Sequence, residues 1–117
     1  MELNEALKEL RVRAGLTQKQ IADMLSLDRS SYSYYETSKS LPTVTSLKRL
    51  STLYGVSMDT MMGGHRDKLE EEIASSVPMQ AFATSGQDVR EILLAAHNMD
   101  KESFEAFVRS TLQPHND

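Results

Sequence analysis

The densest run of hydrogen-bonding side chains lies at residues 28–37, which read DRSSYSYYET. At helical spacing Tyr32 and Tyr35, with Ser31 beside them, fall on one side, while Arg29, Ser30, Ser33 and Tyr34 fall on the other. A guanidinium carries a planar fork of donors, so Arg29 is either a solvated surface arginine or able to give two hydrogen bonds to O6 and N7 of a guanine edge, a contact worth about 1–3 kcal/mol of discrimination. Ser30, Ser33 and Tyr34 add hydroxyls that both donate and accept, without committing to one base. Packing explains Tyr32 and Tyr35 on the inward side and competes evenly with a contact role for Tyr34.

No other group of residues points to chemistry. The chain has no cysteine, which removes disulfides, thiolate catalysis and sulfur-ligated zinc and fits a reducing compartment. His65, His97 and His115 stand far apart without metal-ligand spacing, and Glu70, Glu71 and Glu72 read as a solvated charge run. No nucleophile, base and orienter stand in a recognisable arrangement, and no glycine-rich loop follows a strand. Catalytic residues, metal ligands and cofactors are therefore not expected, and neither is an enzyme.

The elements that must position the donor run are all helical, because no segment alternates apolar and polar residues as a half-buried strand would. A first helix is predicted from Asn4, as its N-cap, to Arg13, with Leu3, Leu7 and Leu10 on one face and Gly15 as the left-handed stop. Thr17 and Gln20 form a capping box for a second helix, whose inner face is Ile21, Ala22 and Leu25. After Ser26 and Leu27, Asp28 caps a third helix that runs to about Thr37. A polar loop and Pro42 lead into a fourth, with Val44, Leu47, Leu50, Leu53 and Tyr54, ending at Gly55. Ser57 caps a short fifth helix through Met62, where Met58, Met61 and Met62 fill the core. Gly63 and Gly64 then break the pattern.

With 117 residues the chain allows one ordinary domain or a small one with a helical appendage. The glycine pair divides it into residues 1–64 and 65–117. The first part holds eight Lys/Arg against seven Asp/Glu, and the second holds five against ten, so the net charge of -4 belongs to the tail. That asymmetry permits nucleic-acid contact by the first part only. The tail reads as a charged helix over 66–75 anchored by Leu69, Ile73 and Ala74, then a breaker-rich connection from Ser76 to Gly86 containing Pro78. A terminal helical hairpin follows. Its first helix carries Val89, Ile92, Leu93 and Ala96, and its second, capped by Asp100, carries Phe104, Phe107, Val108 and Leu112, with Met99 stapled on Phe104. Two such helices are too few for a core of their own, so their apolar faces must bury against the rest of the chain or a sister chain.

The stretch Leu16–Thr37, LTQKQIADMLSLDRSSYSYYET, resembles the helix-turn-helix of the phage repressor and Cro family, also called XRE-like. Further matches follow in register over residues 3–62: Pro42, then Leu47 and Leu50, then YGVSMDTMM, which is similar to the family's closing V-S-x-D-x-L-L. The resemblance implies an all-α, five-helix DNA-binding domain whose third helix enters the major groove, here with a C-terminal helical extension. It also implies that Gln18, at the start of the second helix, bonds a DNA phosphate beside free backbone N–H groups, with Lys19, Lys39 and Thr43 placed to help. Gln18 is further in position to brace Arg29. By the same resemblance Arg11 and Glu36 form a structural ion pair. The chain departs from the family at Ser26 and Ser38, where glycine is usual, so these turns are strained if they need a positive φ.

These readings converge on a sequence-specific transcriptional regulator, a repressor that binds double-stranded DNA as a homodimer on a palindromic operator. One recognition helix reads only a few base pairs, and a two-fold dimer spans half-sites about 34–36 Å apart. Ile92, Leu93, Phe104, Phe107 and Val108 are the candidate dimer or partner surface. The tail is also free to take a protein, peptide or small-molecule effector. The alternative is an antitoxin-like or anti-regulator protein whose acidic C-terminal helices bind a protein partner. An N-terminus with Glu2, Glu5 and Glu9 does not resemble a signal peptide, and no apolar run is long enough to span a bilayer, so the expected location is the cytoplasm and no membrane contact is expected.

Overall fold

The computed structural model describes residues 1–112, which form nine α-helices and no strand; the expectation for His115 falls outside them. Helix α1 (Leu3–Arg13) begins earlier than the sequence suggests. Its N-cap is Glu2, whose backbone N–H donates to the Glu5 side chain at 3.0 Å. Asn4 lies inside the helix instead and its side-chain amide reaches the backbone carbonyl of Glu36 at 3.4 Å, tying α1 to the third helix. Gly15 closes the segment at φ +71°.

The next four helices follow from local capping. Thr17 accepts from Gln20 N–H at 3.0 Å and Gln20 returns the bond to Thr17 N–H at 2.9 Å, opening α2 (Gln18–Met24). Asp28 accepts from Ser31 N–H at 2.7 Å and opens α3 (Arg29–Glu36). Thr43 caps α4 (Val44–Tyr54), and Ser57 caps α5 (Met58–Gly63). On α4 the buried side is Ser46, Leu47, Leu50, Leu53 and Tyr54, and Val44, expected on it, is exposed.

The tail contains one more helix than its sequence suggests. After α6 (Arg66–Ser75), the stretch read as a connection forms α7 (Val77–Thr84). Pro78 sits in the first turn, where its missing N–H has no helical acceptor to lose, and the Ser76 hydroxyl accepts from Met79 N–H at 3.1 Å. The same hydroxyl donates to the Tyr54 carbonyl at 2.6 Å, so one buried serine links the end of α4 to the start of α7. Met79, Ala81 and Phe82 then bury, which is what drives this short apolar helix to form.

The terminal hairpin, α8 (Gln87–Ala95) and α9 (Lys101–Leu112), packs within its own chain: α8 on α2, and α9 on α4 and α7. Leu93, Phe104 and Val108 are completely buried in a core that runs without interruption from Leu7, Leu10 and Ile21 through Tyr32, Leu50, Leu69 and Phe82. Leu94, not Ile92, is the second anchor of α8, and Ile92 is 49% exposed. Ala74 and Leu112 are likewise exposed.

The glutamate run is a strap rather than a purely solvated face. Glu70 takes a bidentate bond from Arg13 at 2.7 and 2.9 Å, joining α6 to α1. Glu72 accepts from Ser57 N–H at 2.8 Å and from the Thr60 hydroxyl at the start of α5, and only Glu71 remains exposed without such a bond among the described residues. None of the described helices is long and apolar enough to cross a membrane, and no cluster of three or more metal-ligating side chains occurs among the described residues.

Candidate nucleic-acid interface

Helices α2 and α3 are joined through Leu25–Asp28, a turn in which Leu27 N–H bonds the Ala22 carbonyl at 2.8 Å and Ser26 takes φ +59°. The bond from the Ser31 backbone holds the Asp28 carboxyl below its ordinary range, so the cap stays charged at neutral pH. What α3 buries fixes what it shows. Tyr32 is fully buried, Tyr35 and Glu36 nearly so, and the two tyrosine rings meet edge to face at 5.9 Å between centroids.

Glu36 is the hub behind the helix. Arg11 grips it through Nε to Oε2 at 2.6 Å and Nη2 to Oε1 at 2.9 Å, Gln18 Nε2 donates at 3.1 Å and the Tyr32 hydroxyl at 2.5 Å. The Arg11 and Glu36 side chains retain only 12% and 2% exposure. Burial alone would raise the Glu36 carboxyl, but the bonds from Arg11, Tyr32 and Gln18 outweigh it and hold the group below its ordinary value. The bond to Glu36 in turn raises the Arg11 guanidinium. Burial also pushes the Tyr32 phenol far up, so it remains a donor at any working pH.

With that side locked, Arg29, Ser30 and Tyr34 are exposed and Ser33 is half-buried along the opposite side of α3. Arg29 makes no hydrogen bond or ion pair among the described residues, so its whole fork of donors faces solvent. Tyr34 is 44% exposed and carries Lys39 Nζ over its ring at 5.4 Å. That cation–π contact places a charge at the end of the donor face.

A helix-turn-helix family model matches residues 7–61. The regulator YqaE of Bacillus subtilis is 33% identical over 98 residues, covering 80% of this chain and 84% of that protein. The chain belongs to the XRE-type helix-turn-helix family. Within the family it is also similar to the transcriptional activator BcrR of Enterococcus faecalis, 39% identical over 64 residues that make up 55% of this chain and 31% of that protein. The regulator ImmR of Bacillus subtilis is 41% identical over 63 residues, 54% of this chain and 50% of that protein. The chain thus spans between about a third and a half of these two relatives. No solved structure matches it.

The residues that an XRE-type domain would set against the DNA backbone are placed unevenly. Gln18 is half-buried with its amide turned to Glu36, so it braces the ion pair rather than Arg29, the partner that its sequence position suggests. Lys19 is exposed and pairs with Asp23 at 2.9 Å, one turn along α2. Lys39 and Thr43 are exposed on either side of the α3–α4 loop, and Thr43 also accepts the capping bond from Ser46 N–H at 3.1 Å. Both serines that replace the family's usual glycines have left-handed backbones, Ser26 at φ +59° and Ser38 at φ +65°.

Sequence reasoning missed several long-range partners. Arg90 of α8 donates to the Gly15 carbonyl at 3.3 Å and the Phe82 carbonyl at 3.0 Å, and Gln20 of α2 donates to Glu91 at 2.6 Å, binding the tail behind the helix-turn-helix. Tyr54 is an apolar anchor by its sequence spacing, yet its buried hydroxyl has no partner among the described residues. Nothing local signals either the carbonyl partners of Arg90 or the orphaned hydroxyl.

Proposed function

We propose that this chain is a sequence-specific DNA-binding transcriptional regulator, a repressor, that reads a palindromic operator as a homodimer. The observation that carries the reading is the two-sidedness of α3: Tyr32, Tyr35 and Glu36 are locked into the core, while Arg29, free of any protein partner among the described residues, stands beside Ser30, Ser33 and Tyr34. A helix of that kind fits the major groove, where an arginine fork on guanine supplies discrimination. Gln18, Lys19, Lys39 and Thr43 flank it as phosphate contacts that set register and give the salt-sensitive part of the affinity.

In this reading residues 1–64 recognise DNA and residues 65–117 set the geometry of two copies. Leu93, Phe104 and Val108 are buried within the chain, so of the apolar set in the tail Ile92 and Phe107 are left to meet a sister chain. Selecting bound fragments from random DNA tests the reading: a palindrome with half-sites about 34–36 Å apart, or a multiple of that spacing, supports it. Fragments without a shared sequence would overturn specific recognition, and a single unrepeated half-site would overturn the dimer. An acidic tail that captured a protein partner, with no retained DNA, would favour the antitoxin-like alternative.

A further inference from the structure

Helix α4 buries one side and shows another on which Thr45, Lys48, Arg49 and Thr52 recur at helical spacing. Opposite them stand residues 97–100 of the loop from α8 to α9 and Lys101 at the start of α9, and the two sides enclose an open cleft of about 450 Å³. That volume lies in the range of about 300–1,000 Å³ usual for small-molecule sites. Lys48, Arg49 and Lys101 all line it, and none has a carboxylate within ion-pairing distance among the described residues. In a chain of net charge -4, with ten acidic groups against five basic ones beyond residue 64, three unpaired cations in one cleft are a local reversal.

The one acid in the cleft leaves the cations in excess by two. Asp100 accepts the Ser103 backbone N–H at 2.8 Å and serves as the N-cap of α9. His97 Nδ1 must be the protonated ring nitrogen, because its partner at 2.8 Å is the Leu94 carbonyl, which can only accept; Nε2 is left for another partner. Unpaired like charges held together repel, and a bound anion would relieve that repulsion while the two threonine hydroxyls supply donors. Met99 adds an apolar wall, so the cleft suits an anion with an apolar part more than a bare ion.

We propose that this cleft binds a small organic anion, a phosphate monoester or a carboxylate, bridging α4 to the tail. Because the ligand would touch both the DNA-reading part and the tail, it is placed to act as an effector; that consequence rests on the regulator reading, whereas binding itself does not.

The test is an NMR titration of the full chain without DNA, following the backbone amides together with the Met99 methyl and the His97 ring. Phenyl phosphate and benzoate distinguish the two anion classes, and inorganic phosphate isolates charge alone. Saturable shifts at Met99 and His97 with either organic anion are expected, with the dissociation constant raised at least ten-fold in Lys48→Gln/Arg49→Gln and unchanged in Lys8→Gln. The double variant replaces surface charges, and its unperturbed core resonances would show that it is folded. The proposal is overturned if no probe saturates at millimolar concentration, if the double variant binds as well as the natural chain, or if the shifts gather at Lys19 and Arg29 and so report a general phosphate surface. None of these results depends on whether the chain binds an operator.

Discussion

The Arg11 guanidinium and the Glu36 carboxylate meet fork on fork, at 2.6 and 2.9 Å, and join the last turn of α1 to the last residue of α3. Because Gln18 bonds the same carboxylate and the Tyr32 hydroxyl of α3 itself completes the set, the inward side of α3 is clamped by two other helices, α1 and α2. Glu36→Ala strands a guanidinium that is 12% exposed, and a loss of about 3–5 kcal/mol in unfolding free energy is expected by urea titration. Arg11→Met with Glu36→Leu removes both charges, and it should cost clearly less than the two single changes summed.

The same carboxylate sets an acid limit on stability. Its folded pKa lies below the unfolded value of about 4.3, so its contribution is complete above that value and is lost as pH falls through the folded pKa. Thermal melts between about pH 6 and 3 should therefore fall more steeply for the natural chain than for Glu36→Gln. Equal slopes would show that the group carries its unfolded pKa.

Tyr54 and Tyr32 are both fully buried, but of the two only the Tyr32 hydroxyl has an acceptor among the described residues. Removing an unsatisfied buried hydroxyl relieves a desolvation cost, so Tyr54→Phe is expected to be neutral or to stabilise by about 1 kcal/mol. Tyr32→Phe takes a donor from Glu36 and should destabilise by about 1.5–3 kcal/mol. Matched urea titrations of the two variants check the opposite signs.

Ser26 and Ser38 hold left-handed backbones that disfavour a side chain, at φ +59° and +65°. Replacing either by glycine is expected to raise stability by up to about 1 kcal/mol, the relief being partly offset by a more flexible unfolded chain. Gly15→Ala should act the other way, because φ is +71° and a Cβ there would fall 2.4 Å from the Arg90 guanidinium. Melting temperatures of the three variants decide it.

What was legible in the sequence is what local bonds decide. Thr17 with Gln20, Asp28 with Ser31, and Ser57 as a cap each complete their bonds within three residues, so helices α2, α3 and α5 could be placed from the chain alone, and α4 from Pro42, its apolar spacing and Gly55, without its Thr43 cap. Arg29, Ser30 and Tyr34 were legible as an outward set because burying Tyr32 and Tyr35 leaves them no other side. Helix α7 was not, since Pro78 reads as a breaker unless Ser76 is known to cap it and Phe82 to bury. The choice of Leu94 over Ile92 as an anchor depends on how α8 lies on α2, a tertiary fact that periodicity alone leaves open. Glu70, Glu72 and the cations of the α4 cleft likewise take their meaning from partners or neighbours far along the chain.

Affinity for a selected operator, measured at two salt concentrations for the natural chain and for Arg29→Ala, tests the role of α3 most directly. Arg29 is exposed and makes no hydrogen bond or ion pair among the described residues, so its removal should leave the melting temperature unchanged, weaken operator binding by about 1–3 kcal/mol and relax preference for guanine at one position, while binding of the natural chain falls with rising salt. Operator binding that is as tight and as selective without the Arg29 fork, or that shows no salt dependence, would contradict the account.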